Sequence, residues 1–190
     1  MNKDLFTEML KDAPDTIDLA KLDKEIKRTM DENPVDIGHV GSRNLIIVIE
    51  ELAELQGVMA DIAVTYPKPD DKLHLQEELA DVIMGMRYVQ LICGIDMENA
   101  ITEKPTVSIH IKNTAEFRNI SKPLLRGQMA LTKYLRGKQD ITKDMLRDII
   151  TDILAACRII KIAYCISDED INKAINVKLK RLENTEHIYM

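Results

Sequence analysis

The sequence predicts an all-α protein built as an antiparallel helix bundle, and three observations carry that expectation. Helix formers dominate its 190 residues, with only seven Gly and six Pro set among many Leu, Ile, Ala, Lys, Glu and Met. Apolar residues recur at steps of three and four along most of the chain. The breaks fall in short Pro- and Gly-bearing stretches, the lengths that join antiparallel neighbours.

Taken in order, the first helical segment covers about 3–31. Within "TIDLAKLDKEIKRTM", Leu19, Leu22, Ile26 and Met30 form one apolar stripe. Asn33-Pro34 ends it, and "DIGHVG" reads as a loop. Ser42 is placed to cap a long helix running from near Arg43 to Val64, where "YPKPDD" stops it. A second long helix should run from Asp71 to Cys93 and close on Gly94. A shorter one follows in "DMENAITEK", up to Pro105. In "TVSIHI" the rhythm changes: Val107, Ile109 and Ile111 alternate with polar residues, so 105–115 reads as extended and 105–119 as a connector. Helical periodicity returns beyond it.

Composition narrows the class. Hydrophobic residues make up 45% and charged residues 31%, a globular balance with enough apolar content for a core. A formal net charge of −6 argues against a broad nucleic-acid surface. Cys93, Cys157 and Cys165 lie in apolar contexts without C-x-x-C spacing and read as reduced core residues. "MNKDLFTEML" has no apolar signal core, and no apolar run is long enough for a bilayer. The expectation is a cytoplasmic protein with neither nucleic-acid nor membrane partners.

The second half echoes the first. "LQEELADVIMGMRYVQLICGI" (75–95) lies without gaps against "LRDIITDILAACRIIKIAYCI" (146–166). Asp81 falls on Asp152, Arg87 on Arg158 and Ile95 on Ile166. Shared polar residues in register favour two tandem copies of one unit forming a pseudo-dimer. The division is then 1–104 for the N-terminal helices and first repeat, 105–119 for the connector, and 120–190 for a degenerate second repeat packed on the first.

Carboxylates interrupt the two central helices. In "VIEELAEL" Glu51 and Glu54 are spaced i, i+3; in "LQEELADVIM" Glu78 and Asp81 are too. Glu50 and Glu77 extend each group. An antiparallel hairpin about "YPKPDD" would bring the pairs together, where repulsion and desolvation cost several kcal/mol per charge unless a cation intervenes. All-oxygen donors suit Mg²⁺, with Mn²⁺ as the alternative, rather than zinc. A di-iron site wants Glu-x-x-His; here His74 stands four residues before Glu78 instead.

"EELAE" (50–54) followed by "ELAD" (78–81) resembles the E-E-x-x-E…E-x-x-D signature of the all-α nucleoside triphosphate pyrophosphohydrolases. These are the MazG-like enzymes, with the dimeric dUTPases and dCTP pyrophosphatases. The resemblance covers about 40–104, and more loosely 120–184. It implies Mg²⁺-dependent cleavage of a nucleoside triphosphate between the α- and β-phosphates, giving a monophosphate and pyrophosphate in nucleotide-pool house-cleaning. Glu51, Glu54, Glu78 and Asp81 would be the metal ligands. Glu50 would be a further ligand or the catalytic base, and Glu77 a solvated neighbour. A protein that keeps the fold but only binds nucleotide or metal is the alternative.

The second copy departs from the pattern. Ile149 stands where Glu78 would, and "LLRGQMALTKYLRG" has no acid; Gln128 and Leu131 take those places. One site per chain is expected. Basic residues fill the segment instead: Arg118, Lys122, Arg126, Lys133, Arg136 and Lys138. Since the family's site lies near a subunit interface, Lys133, Arg136 and Lys138 are candidates for phosphate contact. His39, Arg43 and Asn44 before the first acidic helix, and Asn99 and Lys104 after the second, are the other substrate-binding candidates. A homodimer of such chains is the expected assembly.

Overall fold

Local capping chemistry decides where three of the helices start. The computed structural model describes residues 3–32, 43–64, 70–95, 114–138 and 140–184, and among these the secondary structure is entirely helical. The elements are α1 (Lys3–Lys11), α2 (Leu19–Glu32), α3 (Arg43–Val64), α4 (Asp71–Cys93), α5 (Thr114–Leu135), α6 (Lys143–Ala163) and α7 (Asp168–Asn184). Asp18 begins α2 by accepting from the Lys21 N–H at 3.0 Å. Thr142 does the same for α6 through the Met145 N–H. Ser167 and Asp170 cap α7 reciprocally, each side chain accepting the other's backbone N–H at 3.0 and 2.9 Å.

The expected bounds of the two central helices hold. α3 ends at Val64, ahead of Pro67 and Pro69 in the sequence, and α4 runs from Asp71 to Cys93. Gly94 adopts the left-handed conformation at φ 58°, and the Ile95 N–H returns to the Gln90 carbonyl at 2.9 Å. Three expectations change. The N-terminal segment is two helices separated around Pro14, and Leu19, at the start of α2, is exposed while Leu22 and Ile26 are buried. Cys165 is exposed in the turn between α6 and α7, whereas Cys93 and Cys157 are buried. α5 begins at Thr114, inside the stretch read as connector, because Phe117, Ile120, Leu124, Gly127 and Leu131 already form its inward stripe. Ser42, Pro105 and the remainder of the 105–113 stretch lie outside the described residues.

α3, α4, α6 and α5 form a four-helix core, each packed on the next around the ring. Val48 meets Gly85, and Asn44 lies beside Tyr88, so α3 and α4 run in opposite directions. Leu52 meets Gly127, while Gln56 donates to the Ser121 carbonyl at 2.9 Å, so α5 is antiparallel to α3. Leu52, Leu55, Leu75, Leu79, Leu124, Ile150 and Ile153 fill the interior. Each such side chain contributes about 1.5–3 kcal/mol by leaving water. α7 packs along α4, with α1 and α2 against that same side. No described helix is long and apolar enough to cross a membrane.

Candidate functional site

Antiparallel register is what collects the acids. With Val48 level with Gly85 and Asn44 level with Tyr88, the next two turns bring Glu51 and Glu54 opposite Asp81 and Glu78. Glu51, Glu54 and Glu78 each offer an oxygen within 4.8 Å of the others, a grouping that could hold a metal ion. Glu78 is buried, Glu51 half-buried and Glu54 exposed, so the cluster opens to solvent on the α3 side. One Glu78 oxygen, Oε1, lies 3.3 Å from His74 Nε2. The other, Oε2, is buried with no hydrogen-bond partner.

The electrostatics match that crowding. Burial pushes the Glu51 carboxyl up to about 8, with the Asp81 and Glu54 charges adding to it and Lys178 opposing. Glu78 is pushed up to about 7, again first by burial and then by Asp81 and Glu54. Asp81 is raised as well, burial outweighing the adjacent Lys178 ammonium. An orphaned buried oxygen among hard oxygen donors is the environment a divalent cation relieves. The donor set therefore fits Mg²⁺ or Mn²⁺ chemistry.

Asp81 is held differently. Lys178 of α7 contacts its Oδ2 directly and reaches Glu77 Oε1 at 3.4 Å. The lysine side chain is 14% exposed and Glu77 18%, so Glu77 is a half-buried ion-pair partner rather than a solvated neighbour. Lys178 was not among the residues expected here, although a signal exists. Ile171, Ala174 and Ile175 set the buried stripe of α7, and position 178 continues it with a cation. A lysine on an inward stripe calls for an acid.

No protein-family model, curated protein or solved structure matches this chain.

The remaining candidates disperse. Glu50 is exposed and outside the three-carboxylate group. Asn44 is half-buried beside the Tyr88 hydroxyl, about two helical turns before Glu51. Because α5 is antiparallel to α3, its C-terminal end lies by the start of α3, away from the acids. Lys133 there pairs with Asp140 at 3.7 Å, and Arg136 and Lys138 are exposed in the turn that follows. Within one chain, then, these three cations are not brought to the carboxylates. Arg43 lies at the start of α3, while His39, Asn99 and Lys104 lie outside the described residues. In the second half Leu131 is buried, Ile149 occupies the interior, and Gln128 donates to Gln56 at 3.3 Å. At these positions the second half thus packs through apolar and amide side chains where the first half carries Glu51, Glu54 and Glu78.

Proposed function

We propose that this chain is a Mg²⁺-dependent nucleoside triphosphate pyrophosphohydrolase of the MazG-like kind, cleaving between the α- and β-phosphates. The observation that carries this reading is the convergence of Glu51, Glu54 and Glu78 from two antiparallel helices, with Glu78 Oε2 buried and unpartnered. The spacing of "EELAE" and "ELAD" supplies the family likeness. Support for two tandem copies comes from α4 and α6, which share apolar register and end in the same hydrogen-bonded turn. Two buried thiols, Cys93 and Cys157, suit a reducing cytoplasm.

In this reading Glu51, Glu54 and Glu78, joined by Asp81, hold the ion. A hard divalent cation there would neutralise the triphosphate oxygens and the charge that grows on them as the bond breaks. The chain's own part is positioning. α3 and α4 fix the carboxylates through a close-packed interior, and the His74 contact orients one Glu78 oxygen. Glu50, exposed one residue before Glu51 and outside the three-carboxylate group, would serve as base only through a water held between them.

The contact of Lys178 with Asp81 favours a second reading, a nucleotide- or metal-binding protein without turnover, because a fourth carboxylate is already neutralised. Pyrophosphate release from a panel of nucleoside triphosphates, with Mg²⁺ and with chelator, separates the two. The enzyme reading expects Mg²⁺-dependent release that Glu78→Gln abolishes. Ligand binding without release from any triphosphate would leave the binding reading standing.

A further inference from the structure

We propose that Lys178 is the built-in counter-ion of the acidic site, and that a bound divalent cation takes Asp81 from it. The inference rests on the metal-site reading above and concerns one exchange within it. Asp81 lies one turn beyond Glu78 on α4 and level with Glu51 across the hairpin, so its helix position belongs with the cluster. Its carboxylate is nevertheless committed to Lys178, and the three-carboxylate group forms without it.

The surroundings of Lys178 suit such an exchange. Val177 and Leu179 on either side are buried, which anchors this turn of α7 against α4. The ammonium faces Asp81 and Glu77, and it lies 6.0 Å from the ring centroid of buried Phe6. It is a single positive charge set against Asp81, Glu77, Glu51 and Glu78. It satisfies Asp81 and leaves Glu78 Oε2 without a partner. A divalent ion carries twice the charge and takes more oxygens than one ammonium can serve. When Asp81 turns to the ion, Glu77 remains to hold Lys178, so the lysine is not stranded in a half-buried place. The second half of the chain would thereby take part in the site through α7 although it has no acidic motif of its own.

The test is Mn²⁺ binding to the full chain, read from the paramagnetic signal of free Mn²⁺. It compares wild type with Lys178→Met, Lys178→Gln, Asp81→Asn and Lys178→Met/Asp81→Asn, with helicity checked by circular dichroism. The expected result is binding about tenfold tighter in both lysine variants, a gain that vanishes in the Asp81→Asn background. In the unmodified protein, the Lys178 ammonium resonance should shift when Mg²⁺ is added, which serves even if a variant fails to fold. Equal or weaker Mn²⁺ binding by folded lysine variants overturns the exchange while leaving the metal site intact. So does an equal gain with Asp81→Asn, which would reflect distant charge alone, or a Lys178 resonance that stays still as Mg²⁺ binds. Absence of Mn²⁺ binding in every protein, wild type included, overturns the metal-site reading and this proposal with it.

Discussion

Gly94 and Cys165 close α4 and α6 in the same conformation, φ 58° and 52°. In each case the next residue, Ile95 or Ile166, is buried and donates back to Gln90 or Lys161 at 2.9 Å. The two helix ends are therefore one device used twice, with glycine in one copy and a β-carbon in the other. A left-handed non-glycine residue costs about 1 kcal/mol, partly offset by the extra unfolded-state freedom of glycine. Cys165→Gly should raise stability by about 0.5 kcal/mol, and Gly94→Ala should lower it by about 1 kcal/mol. Urea unfolding measures both; a destabilised Cys165→Gly would mean that the thiol has packing value in that turn.

Gly127 sets the spacing of the core. A Cβ there would come within 2.5 Å of Ile153 Cδ1 and 3.3 Å of Leu52 Cδ1. Alanine gains about 1 kcal/mol of helix propensity but must push apart two buried side chains, at about 1–3 kcal/mol. Gly127→Ala should be net destabilising by about 1 kcal/mol, and Ile153→Val should recover part of it. Independent, additive effects of the two substitutions in a double-mutant cycle would show that the contact is not what limits the site.

The acidic cluster predicts an unusual pH response in chelator. Unfolded glutamates ionise near 4.5, whereas Glu78 and Glu51 in the native state are raised to about 7 and about 8. Below about pH 4.5 both states are protonated and the raised values cost nothing. Between there and about pH 8 the native state holds more protons than the unfolded chain, so stability falls as pH rises. Tm without divalent ions should therefore decrease from pH 5.5 to 8.5, and the decrease should shrink in Glu51→Gln/Glu78→Gln. A double variant that keeps the wild-type slope would assign the effect to other groups.

Arg87 ties α4 to α2 through a bidentate contact, Nε to Asp23 Oδ1 at 2.8 Å and Nη2 to Oδ2 at 2.7 Å, while Nη1 donates to Gln90. The guanidinium holds the Asp23 carboxyl below its ordinary range. Asp23→Asn should cost about 1 kcal/mol, and faster amide exchange should appear first in α2. Uniform acceleration across all helices would contradict a local role for this pair.

Much of this architecture was legible locally. The long central helices follow from apolar period, and their ends from Pro67 and Gly94, because these signals act within a few residues. The convergence of Glu51, Glu54 and Glu78 was legible too, since a short loop between long helices leaves few alternatives to an antiparallel hairpin. Long-range choices were not. Which helix α7 covers is decided by tertiary packing, so Lys178 could be seen as misplaced on an apolar stripe without its partner being evident. Leu19 and Cys165 show the opposite failure: an apolar neighbourhood in sequence says little about a residue sitting at a helix start or in a turn. The basic residues at the end of α5 and in the turn after it looked fit for phosphate, but the direction of α5 against α3 carries Lys133, Arg136 and Lys138 to the far end of the hairpin.

In the proposed function, carboxylates from α3 and α4 form one divalent-cation site. Calorimetric titration of the full chain with Mg²⁺ at pH 8.5, beside the Glu51→Gln/Glu54→Gln/Glu78→Gln variant, tests it most directly. Saturable binding in wild type and its loss in the folded variant is the predicted result. Mg²⁺ binding that survives in the variant, or no binding to the wild type, would contradict it.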